Sequence, residues 1–100
     1  KQIVRYSLSE ASIGDIEGIY RYTLTQFGTA QAVANHGSLE QAFERICEYP
    51  QIGRQRPEID ELTRSLVHRS HTIYYEIRAD HIFILRILHG QQDPMRHQIR

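Results

Sequence analysis

One hundred residues, 40% of them hydrophobic and 24% charged, are enough for one domain with one core, spanning residues 1–100, and too few for two. No apolar run approaches the roughly 20 residues of a membrane helix, and the polar residues scattered through the N-terminal segment do not fit a signal peptide. A cytoplasmic protein is therefore expected, and the single cysteine, Cys47, can neither staple the fold nor make a zinc site with other cysteines. The formal charge of zero speaks against a protein that holds nucleic acid by bulk electrostatics. The halves nevertheless differ. Residues 1–50 carry four basic and six acidic side chains, and residues 51–100 carry eight basic ones, all arginine, against six acidic. Arginine's planar fork suits a carboxylate or phosphate partner.

In chain order, loose alternation predicts a first strand over Gln2–Ser7. Ser9 has the position of a helix N-cap, with Leu8 and Ile13 as a hydrophobic staple. Ile13, Ile16, Ile19, Tyr20, Leu24 and Phe27 then recur every three or four residues, the pattern of an amphipathic helix with its stripe turned inward. Gly28 stops that helix and Thr29 is placed to cap a second, so the two form an antiparallel hairpin. The second helix carries Ala32, His36, Leu39, Phe43 and Ile46 on one face and ends by Pro50. Gly37 weakens its middle by about 1 kcal/mol relative to alanine, and His36 reads as a histidine at the core's edge.

Pro50–Pro57 is a turn-rich connector holding Gly53, Arg54 and Arg56. Three strands are predicted after it: Leu62–Arg69, Thr72–Arg78 and Ile82–His89. Ala79-Asp80-His81 joins the last two as a hairpin. The nearly unbroken apolar run of Ile82–His89 reads as a strand covered on both faces, at the centre of a sheet. Its one charge, Arg86, therefore needs a partner or a partly open face. The fold class is α+β: an N-terminal strand, an antiparallel two-helix hairpin and a three-stranded antiparallel sheet, in the order β-α-α-β-β-β.

No hydrolase elbow, phosphate-cradling glycine loop or dinucleotide fingerprint is present. His68 and His71 point to opposite faces if their strand runs on through Ser70, so they do not chelate one ion. No metal and no cofactor are expected. One enzymatic scheme survives, a metal-free ribonuclease in which Arg54, Arg56, Arg64 and Arg86 neutralise phosphate while His71, His89 or Tyr74 moves protons. Its spacing is not diagnostic, and the only lysine is Lys1. The competing scheme is a binding module that docks on a larger protein. It draws on the aromatics of the hairpin, Tyr20, Tyr22, Phe27, Phe43 and Tyr49, and on the arginine-rich sheet. Core packing accounts for Tyr20, Phe27 and Phe43; Tyr22 sits off the inward stripe.

An ordered set of residues sharpens the choice: Tyr6-Ser-Leu-Ser9, Asp15-Ile16, Ile19-Tyr20, Phe27-Gly28 and Gln31-Ala32, then Pro50-x-x-Gly53-Arg54, Glu58-Ile59, Arg64-Ser65, Ser70-His71, Tyr75, Ile87-Leu88-His89 and Asp93. From Tyr6 to Pro94 the chain resembles the ParE toxins of the RelE/ParE superfamily of bacterial toxin-antitoxin modules. The resemblance implies the same β-α-α-β-β-β fold and a non-enzymatic toxin that inhibits DNA gyrase. It also implies a ParD-type antitoxin folded along the helical hairpin and sheet edge, and no sequence-specific nucleic-acid binding by the toxin alone. The RelE branch, a ribosome-dependent messenger RNA endonuclease, is the alternative. Internal lysines and a tyrosine after Tyr75, which that branch uses, are lacking.

On this resemblance the expected target-binding or supporting set is Arg64, Ser70, His71, Arg86, His89 and Asp93, with no catalytic residue. The expected antitoxin-binding set is Ile13, Ile16, Tyr20, Tyr22, Phe43, Arg54 and Arg56. Three departures from the family pattern stand out. Gln91 follows Gly90 where relatives often carry arginine, Asn35-His36-Gly37 replaces bulkier residues in the second helix, and Leu62-Thr63 precedes Arg64 where glycine and an aromatic or leucine are common. They leave room for an attenuated toxin that binds its antitoxin without poisoning a target.

Overall fold

The structure, a computed structural model, describes residues 5–90, 92–97 and 99. The order of elements is β1 (Tyr6–Leu8), α1 (Glu10–Phe27), α2 (Thr29–Glu48), β2 (Arg54–Gln55), β3 (Arg64–His68), β4 (His71–Ile77) and β5 (Ile82–His89). The predicted first strand shifts toward the C-terminus; residues 2–4 of that prediction lie outside the described residues.

The α+β class and the helical hairpin stand, whereas the three-stranded antiparallel sheet is corrected to a mixed sheet of five strands in the order β1-β5-β4-β3-β2. β1 enters as a parallel partner of β5, with Tyr6 opposite Ile82 and Leu8 opposite Ile84. β2 comes out of the expected connector and pairs antiparallel with β3. The first strand was expected, but its partner in the sheet is set by tertiary packing, and a strand of two residues such as β2 is too short to show a period.

Ser9 caps α1 as expected: its hydroxyl accepts from Ser12 N–H at 3.0 Å. The same hydroxyl donates to the Leu85 carbonyl at 2.6 Å, and Ser9 N–H donates to Ile84 O at 3.0 Å. The helix start is thus tied to the sheet. Gly28 ends α1 and begins α2 with φ of 91°, a backbone that side-chain-bearing residues avoid. It takes the N-cap place assigned to Thr29, which is already inside the helix and makes no cap.

The main core lies between α2 and the sheet. Leu39, Ala42, Phe43, Ile46 and Cys47 meet Ile73, Tyr75, Ile82, Ile84 and Ile87, and Ile16 and Ile19 of α1 pack against this cluster. Burial raises the Cys47 thiol pKa, as suits a small core residue. A second cluster of Tyr74, Leu85, Leu88 and Ile99 covers the opposite face. β5 is therefore apolar on both sides, as its composition requires. A bulge between Tyr74 and Tyr75 sets Tyr74 opposite Arg86 and Tyr75 opposite Ile84. Leu85 is the extra residue, which re-aims Arg86.

At the β2 end, the Tyr75 hydroxyl donates to Pro50 O at 2.7 Å and accepts from Gly53 N–H at 2.9 Å. A Cβ at Gly53 would stand 2.6 Å from that hydroxyl and 2.8 Å from the Ser65 carbonyl, so the close approach requires glycine.

Candidate functional site

A groove of about 460 Å³ lies between α1 and the ends of β4 and β5. Gly14 and Gly18 line one wall without side chains, Tyr22 and Phe27 extend it, and Ser70, His71, Ile87, His89 and Gln92 form the other. Ser70, His71 and His89 of the expected target-binding set thus share one surface. His71 and His89 are opposed across β4 and β5, with rings edge to face and centroids 5.6 Å apart. Burial, then the nearby His89 and His68, pushes the His71 pKa below its ordinary value. The Ser70 hydroxyl contacts His71 Nδ1 at 3.4 Å, and its carbonyl accepts from Gly90 N–H at 2.8 Å. Gln92 fastens the turn, its Oε1 accepting from His89 N–H at 2.6 Å.

His68 and His71 are direct partners across a two-residue turn of Arg69 and Ser70, so they share a face instead of pointing apart. The strand does not run on through Ser70. Arg69 turns the chain with φ of 56°, and its guanidinium donates to Ser38 of α2 at 3.1 Å.

Arg86 and Arg64 hold the scaffold. Arg86 forms a two-pronged pair with Asp15 of α1, Nε to Oδ2 at 2.8 Å and Nη2 to Oδ1 at 2.9 Å. The Asp15 carboxylate also accepts from Ile87 N–H at 2.9 Å, and the pair raises the arginine's pKa. Asp15, one of the residues that carry the family resemblance, is not identifiable as this partner from sequence; a lone carboxylate beside the inward stripe is the available signal. Arg64 donates to the Gly53 carbonyl at 2.7 Å, at the end of β3 remote from the histidines. Asp93 caps its own turn, accepting from Met95 N–H at 2.9 Å. Gln91, the position of the altered turn, lies outside the described residues.

The expected antitoxin set divides three ways. Ile13, Ile16 and Tyr20 lie along the far side of α1, lining shallow grooves of about 220 and 400 Å³ that share Ile16, Glu17 and His36. Tyr22, 63% exposed, faces the histidine groove instead. Phe43 is a core residue, 2% exposed and stacked at 5.1 Å against Tyr6, so its placement on a binding surface is corrected to the floor of the smaller groove. Arg54 and Arg56 sit on or beside the edge strand β2; Arg54 is exposed, whereas Arg56 is held by Glu58 at 2.6 Å and Ser65 at 3.1 Å. His36 is exposed, with Glu40 at 3.8 Å and the Tyr20 ring at 6.2 Å. Among the described residues no group of three or more His, Cys, Asp or Glu is placed to hold a metal ion, and no helix is long and apolar enough to cross a membrane.

Residues 6–94 match the family model described as the ParE toxin of the type II toxin-antitoxin system parDE. The chain belongs to the ParE toxin family. Toxin ParE1 of Mycobacterium tuberculosis is 34% identical over 93 residues, covering 92% of this chain and 95% of the relative. Toxin ParE3 of Caulobacter vibrioides is 26% identical over 80 residues, 80% of each chain. A solved chromosomal ParDE toxin-antitoxin system from P. aeruginosa superposes with a TM-score of 0.76 at 17% identity, covering 91% of this chain and all of that one, which supports the fold. The residues that carry the ParE resemblance now have physical meanings. Ser9 and Asp15 bind α1 to β5, and Gly53, Arg64 and Tyr75 lock the connector under the sheet. Much of what identifies this ParE chain is architecture.

Proposed function

We propose that this ParE-family toxin acts by binding DNA gyrase, and that a ParD-type antitoxin neutralises it. The reading rests on the family match over residues 6–94. A binding mode, as opposed to bond cleavage, is supported by the state of two of the four arginines in the ribonuclease scheme. Arg86 is paired at two points with Asp15, and Arg64 donates to the Gly53 carbonyl. A guanidinium already paired within the fold gains little from a phosphodiester and would have to break a helix-to-sheet tie to reach one. The groove bounded by Tyr22, Phe27, Ser70, His71 and His89 is the surface we assign to the target. The far side of α1, with Ile13, Ile16, Tyr20 and Leu24 over the hairpin, is the one we assign to the antitoxin, whose extended chain would reach the Arg54 edge.

The purified toxin should inhibit supercoiling by gyrase while leaving message intact in a translation extract. Cleaved message with unaffected supercoiling would replace the proposal with the ribosome-dependent endonuclease. Neither effect, together with tight antitoxin binding, would establish an attenuated toxin. Charge reversal of Arg54 and Arg56 should weaken the antitoxin complex, and unchanged affinity would remove that edge from the interface.

A further inference from the structure

The β3–β4 turn and the β4–β5 register set three histidines in a row across the sheet: His68 opposite His71, and His71 opposite His89. Residues opposed on antiparallel strands project from the same face with Cβ atoms about 4.5–5.5 Å apart. His68 is drawn toward α2, its Nε2 at 2.8 Å from the Ser38 hydroxyl. His71 and His89 instead face one another at the mouth of the groove.

We infer that His71 and His89 form a two-histidine chelate for a borderline-soft divalent transition cation of the Zn²⁺ or Cu²⁺ kind. Imidazole is the ligand such ions take readily. Zinc–nitrogen bonds of about 2.0–2.1 Å at a tetrahedral angle place two ring centroids roughly 5 Å apart. The 5.6 Å separation of the two rings is close to that value, and His89 is exposed to solvent. Both rings stand on paired strands, so little order has to be gained on binding. The Ser70 hydroxyl, 3.4 Å from His71 Nδ1, and the Gln92 side-chain oxygen, bonded to His89 N–H, border the pair as oxygen donors. Water completes the shell. With two protein ligands the site is exchangeable, unlike a closed four-ligand structural zinc. Mg²⁺ and Ca²⁺, which prefer oxygen, are excluded. Bound metal would clamp β4 to β5 at the groove's edge. The inference holds whichever target the toxin binds.

The test uses tag-free full-length chain, since a polyhistidine tag would compete. Zn²⁺ is titrated calorimetrically at pH 7.5 and the histidine ring resonances are followed by NMR. One equivalent should bind, with the His71 and His89 rings shifting together, and Mg²⁺ should produce no response. H71Q and H89Q should each weaken binding at least roughly tenfold, the scale on which loss of a supporting ligand interaction acts. H89Q keeps the test valid if H71Q disturbs the fold, because His89 is exposed. H36Q, which removes the alternative His36–Glu40 pair, should leave the affinity unchanged. Absence of zinc binding, affinity unaltered in H89Q, or loss of binding in H36Q would each overturn the assignment.

Discussion

The two helices look alike in sequence and are held in opposite ways. α2 buries Ala32, Leu39, Ala42, Phe43, Ile46 and Cys47 against the sheet. α1 buries only the small polar Ser12 and Thr23, while Ile13, Leu24 and Phe27 of its expected inward stripe are 44%, 40% and 67% exposed. Its attachment combines the half-buried Ile16 and Ile19 with polar ties, the Ser9 bonds to Ile84 and Leu85 and the Asp15–Arg86 pair. One helix is core, and the other is tethered over it with apolar surface to spare. A helix fastened partly by a few directional bonds leaves apolar surface uncovered. Exposed apolar patches of this sort mark interaction sites.

The sharpest way to break this comparison is to truncate the same residue type on each helix. Phe43→Ala should cost about 3–5 kcal/mol, the usual range for a buried phenylalanine. Phe27→Ala should stay within about 0.5 kcal/mol. Urea unfolding of both variants measures the contrast, and comparable losses would mean that α1 is core after all. Next in size, Arg86→Met leaves Asp15 partly buried and uncompensated. Since the two side chains retain 17% and 14% exposure, a loss of about 3 kcal/mol is expected, at the low end for a broken buried pair. Adding Asp15→Asn should recover most of it, because the amide oxygen can still accept from Ile87 N–H. A single Arg86→Met variant as stable as its parent would show that the tether does not hold α1.

The smallest effect is a pH dependence at the histidine end. Burial lowers the pKa of both His68 and His71 from the ordinary 6.5, so the folded chain prefers them neutral. Their contribution is fully present above about pH 6.5, the unfolded value, and is lost as pH falls through the folded values, since the unfolded chain takes up protons first. The melting temperature should therefore drop between pH 7.5 and 5.5, and less so in His71→Gln. Identical pH profiles for the two proteins would remove His71 from the account.

Some of the site was legible and some was not. The need of Arg86 for a partner followed from one charge inside an apolar strand, and Ser70, His71 and His89 line one groove. The partner itself, Asp15, lies 71 residues away in sequence, where no local rule reaches. The shared face of His68 and His71 depended on where the chain turns. Arg69 adopts a left-handed conformation that glycine or asparagine would have advertised and arginine does not. Phe27 falls on the helical stripe and so reads as core, yet it stands 67% exposed at the end of α1, on the rim of the groove.

By itself the sequence determined what short-range physics can encode. Ser9 starts a helix because its hydroxyl reaches the N–H three residues on, Gly28 divides the hairpin because other residues avoid its backbone angles, and β5 is interior because its residues are apolar on both faces. The ordered residues from Tyr6 to Pro94 also named the family that the comparison with known toxins supports. Tertiary structure alone decided the parallel pairing of β1, the bulge that aims Arg86 at Asp15, and the histidine row at the groove. Each depends on which distant strands and helices come together, and that choice is made by the packing of the whole chain.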